Sequence, residues 1–546
     1  MIQLKGGVPD LVAIGKENLR NVYRNFPKPK LYEEIIRNKE GQIAYMGPIV
    51  VRTGHANERE LDDRFIVKEP ESEKNVCWGE KVSSISEEKY ESLLLRLLSY
   101  LQNKEVYVQN CFTCYGSEYQ TPIRIITETA WHSLYARNMY TPIYNQERPE
   151  EFDPSFSVIH IPGFQSIPEI DGTKTQAFVI IHIGHKLVVV GGTHYAGEIR
   201  QAVFTMLNYI LPNKNLLPMR CSANMGDDGD VAIFLGRKGT GKTTLAIDES
   251  RQFIGDHIHG WGERGIFNFE CGSYAKIFNI SPKNEKAIFD STRQFGTILE
   301  NVSINFETRR IDLNDGGLTD NTRACFSDEI LPFNAGKGIF NHPKNLFLLT
   351  IDAFGVLPPI AKLTPDQAVY AFLSSYSSEL NKTENGIIEP SFNVCFGDSS
   401  LTFEPHVYAK IFHEKILNHK VKCWLVNTGW IGEPYGKVDQ IKLSITRDII
   451  RAAIKGKLDN VEFENDPLFK FDIPLTCPGV PTEMLNPRNI AKNKGEYEIR
   501  ANRLASEFIN DFTKFQEFMP GSMGDILSHV LTMDNDLNFD ELGFSM

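Results

Sequence analysis

The segment 236–243 constrains this chain most. It reads Gly236-Arg-Lys-Gly239-Thr240-Gly241-Lys242-Thr243 and fits the spacing G-x-x-x-x-G-K-[ST]. DVAIFLG (230–236) enters it as a predicted strand, and TTLAIDES (243–250) leaves it as a predicted helix. Glycines let backbone N–H groups close around phosphate oxygens, and the N-terminus of the following helix adds partial positive charge. The residues expected to hold nucleotide are therefore Gly236, Gly239, Thr240, Gly241, Lys242, Thr243 and Thr244. Lys242 is expected to reach the β- and γ-phosphates, and the Thr243 hydroxyl to ligate Mg²⁺. A P-loop of this kind needs a second, acidic ligand for the ion at the end of a neighbouring strand. Asp256, closing RQFIGD (251–256), is the candidate.

Further short runs of β-branched residues at VYVQ, IRIIT, FSVIHI, AFVIIHI, KLVVVGG, LFLLTID and CWLVNTG predict strands. Residues 87–103 carry leucine at helical spacing, and residues 193–211 return to it. Alternating strands and helices, with polar or glycine residues at strand ends, predict an α/β protein. A change in texture near residue 215 predicts an N-terminal domain over 1–215 and a C-terminal nucleotide-binding domain over 216–546. The acidic stretch 533–546 reads as a loosely held end.

The chain has 546 residues with 58 Lys and Arg against 70 Asp and Glu, a net charge of −12. That balance argues against a nucleic-acid or anionic-membrane scaffold, but leaves room for a local basic pocket. No apolar run is long enough to span a bilayer, and no signal peptide is visible, so a cytoplasmic protein is expected. Nine scattered cysteines do not make a disulfide framework. Cys111-Phe-Thr-Cys114, the only C-x-x-C, lacks the second pair that a four-thiolate zinc site requires.

Several segments together resemble the ATP-dependent phosphoenolpyruvate carboxykinases. They are GGTHYAGEIRQAVFTMLNYILP (191–212), RCSANMGDDGDVAIFLGRKGTGKTTL (220–245) and IGDHIHGWGERGIFNFECGSYAK (254–276), followed by DNTR (320–323), IDAFGVLPP (351–359), IIEPSFNVCFG (387–397) and WLVNTGW (424–430). TGHANERELDDRFIV (53–67) is a weaker match to the family's arginine-bearing loop. The resemblance implies a two-domain α/β fold with its active site in the cleft between domains. It also implies a reaction in which oxaloacetate loses CO₂ and the enolate takes the γ-phosphoryl group of ATP. By position, Arg59 and Tyr195 match residues on the dicarboxylate, and Arg323 matches the arginine on the transferred phosphate. Asp352 and Thr446 match residues beside the nucleotide, and TENGIIEPSF (383–392) resembles a mobile lid. The implied partners are small anionic molecules, and the implied assembly is a monomer or small oligomer.

One part of the family pattern is missing. A second divalent ion, usually Mn²⁺, is held in the family by a lysine, a histidine and an aspartate. This chain has Gln201, Arg220 and His257 there. Gln201 is a weak neutral oxygen ligand, His257 can still ligate, and Arg220 cannot be deprotonated. A fixed guanidinium repels a dication by several kcal/mol at an effective dielectric of about 20, so Mn²⁺ is expected to bind poorly. His257 and His259, two residues apart, would face one side of a strand and offer a rebuilt site. Two functions follow. Arg220 could replace the missing cation while phosphoryl transfer continues. Alternatively, the chain is a nucleotide-binding regulator, or a kinase for another acceptor, without decarboxylase activity.

Overall fold

A computed structural model describes residues 19–54, 63–78, 82–143, 152–283, 285–331, 333–380, 388–397 and 400–515. Arg59, residues 383–387 of the lid-like segment and the acidic stretch 533–546 lie outside them. The chain divides into two compact units. The first comprises residues 1–219, 249–340 and 399–404; the second comprises 220–248, 341–398 and 405–546. Residues 249–340 thus lie with the N-terminal segment rather than in a contiguous block starting at 216. Their strands pair inside the first unit: Gly272–Lys276 and Ile298–Glu300 both pair with Arg323–Ser327, and Ile298–Glu300 also joins Ile49–Val51.

The first unit is built on a mixed sheet. Its strands run in the order Asn21–Arg24, Glu105–Thr113, Thr121–Thr127, Phe156–Ile161, Leu187–Gly191, Phe178–His182, Arg64–Lys68 and Ser83–Ser86. Successive side chains point to opposite faces, so both faces must be apolar in a buried sheet. Tyr107, Cys111, Ile123, Ile125, Val158, Val188 and Val190 enter one core with Trp131, Leu134, Ile199 and Val203 of the helices Ala130–Met139 and Gly197–Ile210. Val106, Val108, Ile126, Ile159, Leu187 and Val189 face the other core, covered by Tyr90, Leu93, Leu94 and Leu97 of Glu87–Tyr100. Ser86 caps that helix by accepting the Lys89 N–H.

In the second unit, strands run in the order Cys221–Met225, Val231–Gly236, Pro343–Thr350, Lys422–Asn427, Ile360–Leu363, Asp472–Pro474 and Phe463–Asn465. Val231–Gly236, Pro343–Thr350 and Lys422–Asn427 are mutually parallel. Gly236 registers with Leu349, and Thr350 with Asn427, so their carboxyl ends share one edge. Open α/β sheets bind ligands at that edge.

The helix after the glycine motif is shorter than its sequence predicts, ending at Ala246. Ile247 is extended, and Asp248 is held by Arg451 at 2.9 Å, which stops the helix after one turn. Cys111 and Cys114 are fully buried, and burial pushes both thiols up, Cys114 to about 12, as expected of inert core cysteines.

Candidate functional site

The glycine loop leaves Gly236 at the sheet edge and turns through Gly239 (φ +90°) and Gly241 (φ +94°) into the helix Lys242–Ala246. A Cβ at 239 would meet nothing within 4 Å, and one at 241 only the Leu245 side chain at 3.7 Å. Backbone angle, not space, therefore selects glycine at both positions. Thr240 donates its hydroxyl to Arg237 O at 2.8 Å, and Lys242 Nζ donates to the carbonyls of Gly236 and Arg237 at 2.7 and 2.8 Å. The lysine is thus held over the loop, and the Thr240 N–H closes the turn onto Arg237 O at 3.3 Å. Thr243 and Thr244 occupy the helix's first turn, and Arg447 Nη2 donates to Thr244 O at 3.2 Å. Arg237 Nη1 donates to Ser391 O at 3.2 Å, joining the loop to the hairpin of Ser377–Leu380 and Ile388–Ser391.

The neighbouring strand end carries Asp352. Its buried carboxylate accepts the N–H groups of Phe354, Val356 and Leu357 at 2.9, 2.7 and 2.8 Å and the Tyr376 hydroxyl at 3.2 Å. Burial raises its pKa, and these donors oppose the rise. Asp352 therefore shapes the 352–357 loop. Thr428 Oγ1 lies 3.2 Å from Thr240 O and 3.1 Å from Thr350 O, tying the glycine loop to this edge. Thr446 is buried in Leu443–Ile454. Gln440 donates its amide to Thr428 O at 2.8 Å.

The first unit brings together a second set. Arg323 opens its strand, and its guanidinium carbon lies 5.0 Å over the Tyr274 ring. Tyr274 donates its hydroxyl to Glu300 Oε2 at 2.7 Å, and the Tyr195 ring lies 6.1 Å from the Tyr274 ring. Glu300 is 1% exposed. Burial pushes its carboxyl up to about 7, against the pull of the Tyr274 hydrogen bond and the Arg323 charge. Nearby, Arg200 makes a bidentate bond to Glu270 at 2.6 and 2.6 Å, and Asp256 adds to the field that keeps Arg200 charged. Tyr274, Glu300, Arg200 and Glu270 were not singled out by motif reasoning. Two of them, Tyr274 and Glu270, lie inside the quoted segment 254–276, and Arg200 adjoins Gln201.

The altered positions are Gln201, buried on Gly197–Ile210 and donating its amide to Ser400 Oγ; Arg220, half-buried ahead of Cys221–Met225; and His257. His257 does not lie on a strand. The strand ends at Gly255, His257 sits in a bend at φ +75°, and His259 opens the next strand, His259–Trp261. The expectation that 257 and 259 share a strand face is therefore corrected. Among the described residues, three His, Cys, Asp or Glu donors within 4.8 Å of one another occur at Glu87, His182 and His185, not around His257. Gln201 is thus engaged as an amide donor, and Arg220 carries a permanent charge. The Thr243 hydroxyl and the Asp256 carboxylate are oxygen donors of the kind Mg²⁺ takes.

A parallel-sheet edge bearing a strand, a glycine loop and a helix places the protein in the α/β class, which binds ligands at that edge. Comparison narrows that class. The family model for phosphoenolpyruvate carboxykinase, in its ATP-dependent form, matches residues 20–483. The phosphoenolpyruvate carboxykinase (ATP) of Pelobacter propionicus is 48% identical over 516 residues, covering 94% of this chain and 97% of that protein. Those of Caldanaerobacter subterraneus subsp. tengcongensis and Thermus thermophilus are 48% and 43% identical over 510 residues each. These alignments cover 93% and 92% of this chain, and 97% and 96% of the relatives. The chain belongs to the ATP-dependent phosphoenolpyruvate carboxykinase family. No helix among the described residues is long and apolar enough to cross a membrane.

Proposed function

We propose that this chain converts oxaloacetate and ATP to phosphoenolpyruvate, ADP and CO₂, with the fixed charge of Arg220 in place of the family's second cation. The observation that carries the reading is the glycine loop with Lys242 bound across it, in a chain 48% identical to a named carboxykinase. The loop N–H groups and Lys242 hold the triphosphate. Thr243 and Asp256 are the residues that would hold Mg²⁺, which neutralises charge on the β- and γ-oxygens when bound. Arg323, kept in place by the Tyr274 ring, stabilises the phosphoryl group in transfer. Arg59 and Tyr195 orient the dicarboxylate. Asp352 and Thr446 act from beside the nucleotide, Asp352 by fixing its loop.

The experiment is a coupled assay of CO₂ release from oxaloacetate and ATP with Mg²⁺ alone. Turnover without added Mn²⁺ supports the reading. The changed residues at 201, 220 and 257 also favour a second reading, a nucleotide-binding regulator or a kinase for another acceptor. ATP binding without CO₂ release, with or without Mn²⁺, would select that one.

A further inference from the structure

The opposite end of the Arg323 strand bears a cavity that the proposed reaction does not use. The strand Arg323–Ser327 rises about 3.3 Å per residue, so Ser327 lies about 13 Å along it from Arg323. There a cavity of about 310 Å³ opens among Lys28, Arg137, Ser327, Glu329, Lys337 and Cys271. That volume is at the lower end of the range of roughly 300–1,000 Å³ for small-molecule sites. Its lining is strongly one-signed, with three cationic side chains against one carboxylate. Glu329 pairs with Lys337 at 2.9 Å. Cys271 is neutral, its thiol pushed up to about 12 by burial.

Lys28 is the informative residue. Its side chain lies against Gly296, where a Cβ would come within 3.3 Å of its Cδ and Nζ. Among the described residues it makes no hydrogen bond or ion pair, although it is partly buried. Burial lowers its pKa; Cys325 and Glu329 oppose that, and the Arg137 charge adds a smaller lowering. A partly buried ammonium beside a guanidinium, without a counter-charge of its own, is a costly arrangement unless an anion completes it. The Ser327 hydroxyl accepts the Glu329 N–H at 3.4 Å and keeps its proton to donate.

We propose that this cavity binds the phosphate group of a small metabolite, with Lys28, Arg137 and Ser327 as its donors and Lys337 at its rim. The cavity exceeds what a free phosphate fills, so the phosphate is expected to carry an organic group. Two measurements test this. A crystal soaked in tungstate, an electron-dense tetrahedral oxyanion, should show an anomalous peak within hydrogen-bonding reach of Lys28 Nζ. Calorimetric titration of the full chain with inorganic phosphate, at constant ionic strength, should lose at least tenfold in affinity for one site in Lys28→Met. Any phosphate binding at the glycine loop is common to both proteins and cancels in that comparison. Lys28→Gln provides the same test should Lys28→Met fail to fold. Superimposable titrations of wild type and variant, or tungstate at the glycine loop with none at Lys28, would overturn the proposal.

Discussion

Replacing Glu300 with Gln tests the electrostatics around Arg323. The carboxyl is 1% exposed, and burial moves it from an ordinary 4.5 to about 7. The sign follows from linkage. Below pH 4.5 the group is protonated in both folded and unfolded chains, and the native state bears no cost. Between 4.5 and 7 the unfolded chain releases the proton while the folded chain keeps it, so stability falls. Above 7 the loss is complete. At 1.36 kcal/mol per pH unit it amounts to about 3 kcal/mol. Glutamine cannot ionise, so Glu300→Gln removes this pH dependence and leaves a constant offset for its amide beside the Tyr274 hydroxyl. Asp328, also raised to about 7 by burial, is common to both proteins and cancels. Melting temperatures of both proteins, taken at intervals from pH 5 to 8, should show the variant gaining on wild type by several degrees as pH rises. Parallel curves would refute the claim that Glu300 holds its proton near neutrality.

Three further outcomes are expected. ATP should raise the melting temperature of wild type, read by calorimetry, and Lys242→Ala should abolish that rise, because the loop loses the charge proposed to meet the phosphates. Asp352→Ala leaves three buried N–H groups and the Tyr376 hydroxyl without their acceptor. It should destabilise the second unit by about 2–4 kcal/mol, read as a lower denaturation midpoint, and should weaken ATP binding as the 352–357 loop loosens. The triple change Gln201→Lys, Arg220→His and His257→Asp should raise Mn²⁺-stimulated turnover in the coupled assay, since it restores one anionic and two neutral ligands.

Local patterns were legible in the sequence, and assembly was not. Phe156–Ile161 matches its predicted limits, and the predicted strands at LFLLTID and CWLVNTG are found at Pro343–Thr350 and Lys422–Asn427, because β-branched runs between turn formers admit few alternatives. The glycine loop was legible because its chemistry lies within eight consecutive residues. The course of 249–340 was not, because its pairing partners, Ile49–Val51 among them, lie some 250 residues away and carry no local mark. Tyr274 and Glu300 escaped for the same reason: they act on Arg323 through strand pairing, with no motif spacing to betray them. His257 was misplaced because two-residue spacing implies a shared face only inside a strand, and the chain bends there at positive φ.

The most direct test of this account is the metal dependence of turnover. Initial rates of CO₂ release from oxaloacetate should be measured with saturating ATP and Mg²⁺ while Mn²⁺ is titrated. A permanent cation at position 220, in place of a neutral imidazole, predicts product formation that Mn²⁺ leaves unchanged. A rate that climbs steeply and saturably with Mn²⁺ would contradict it.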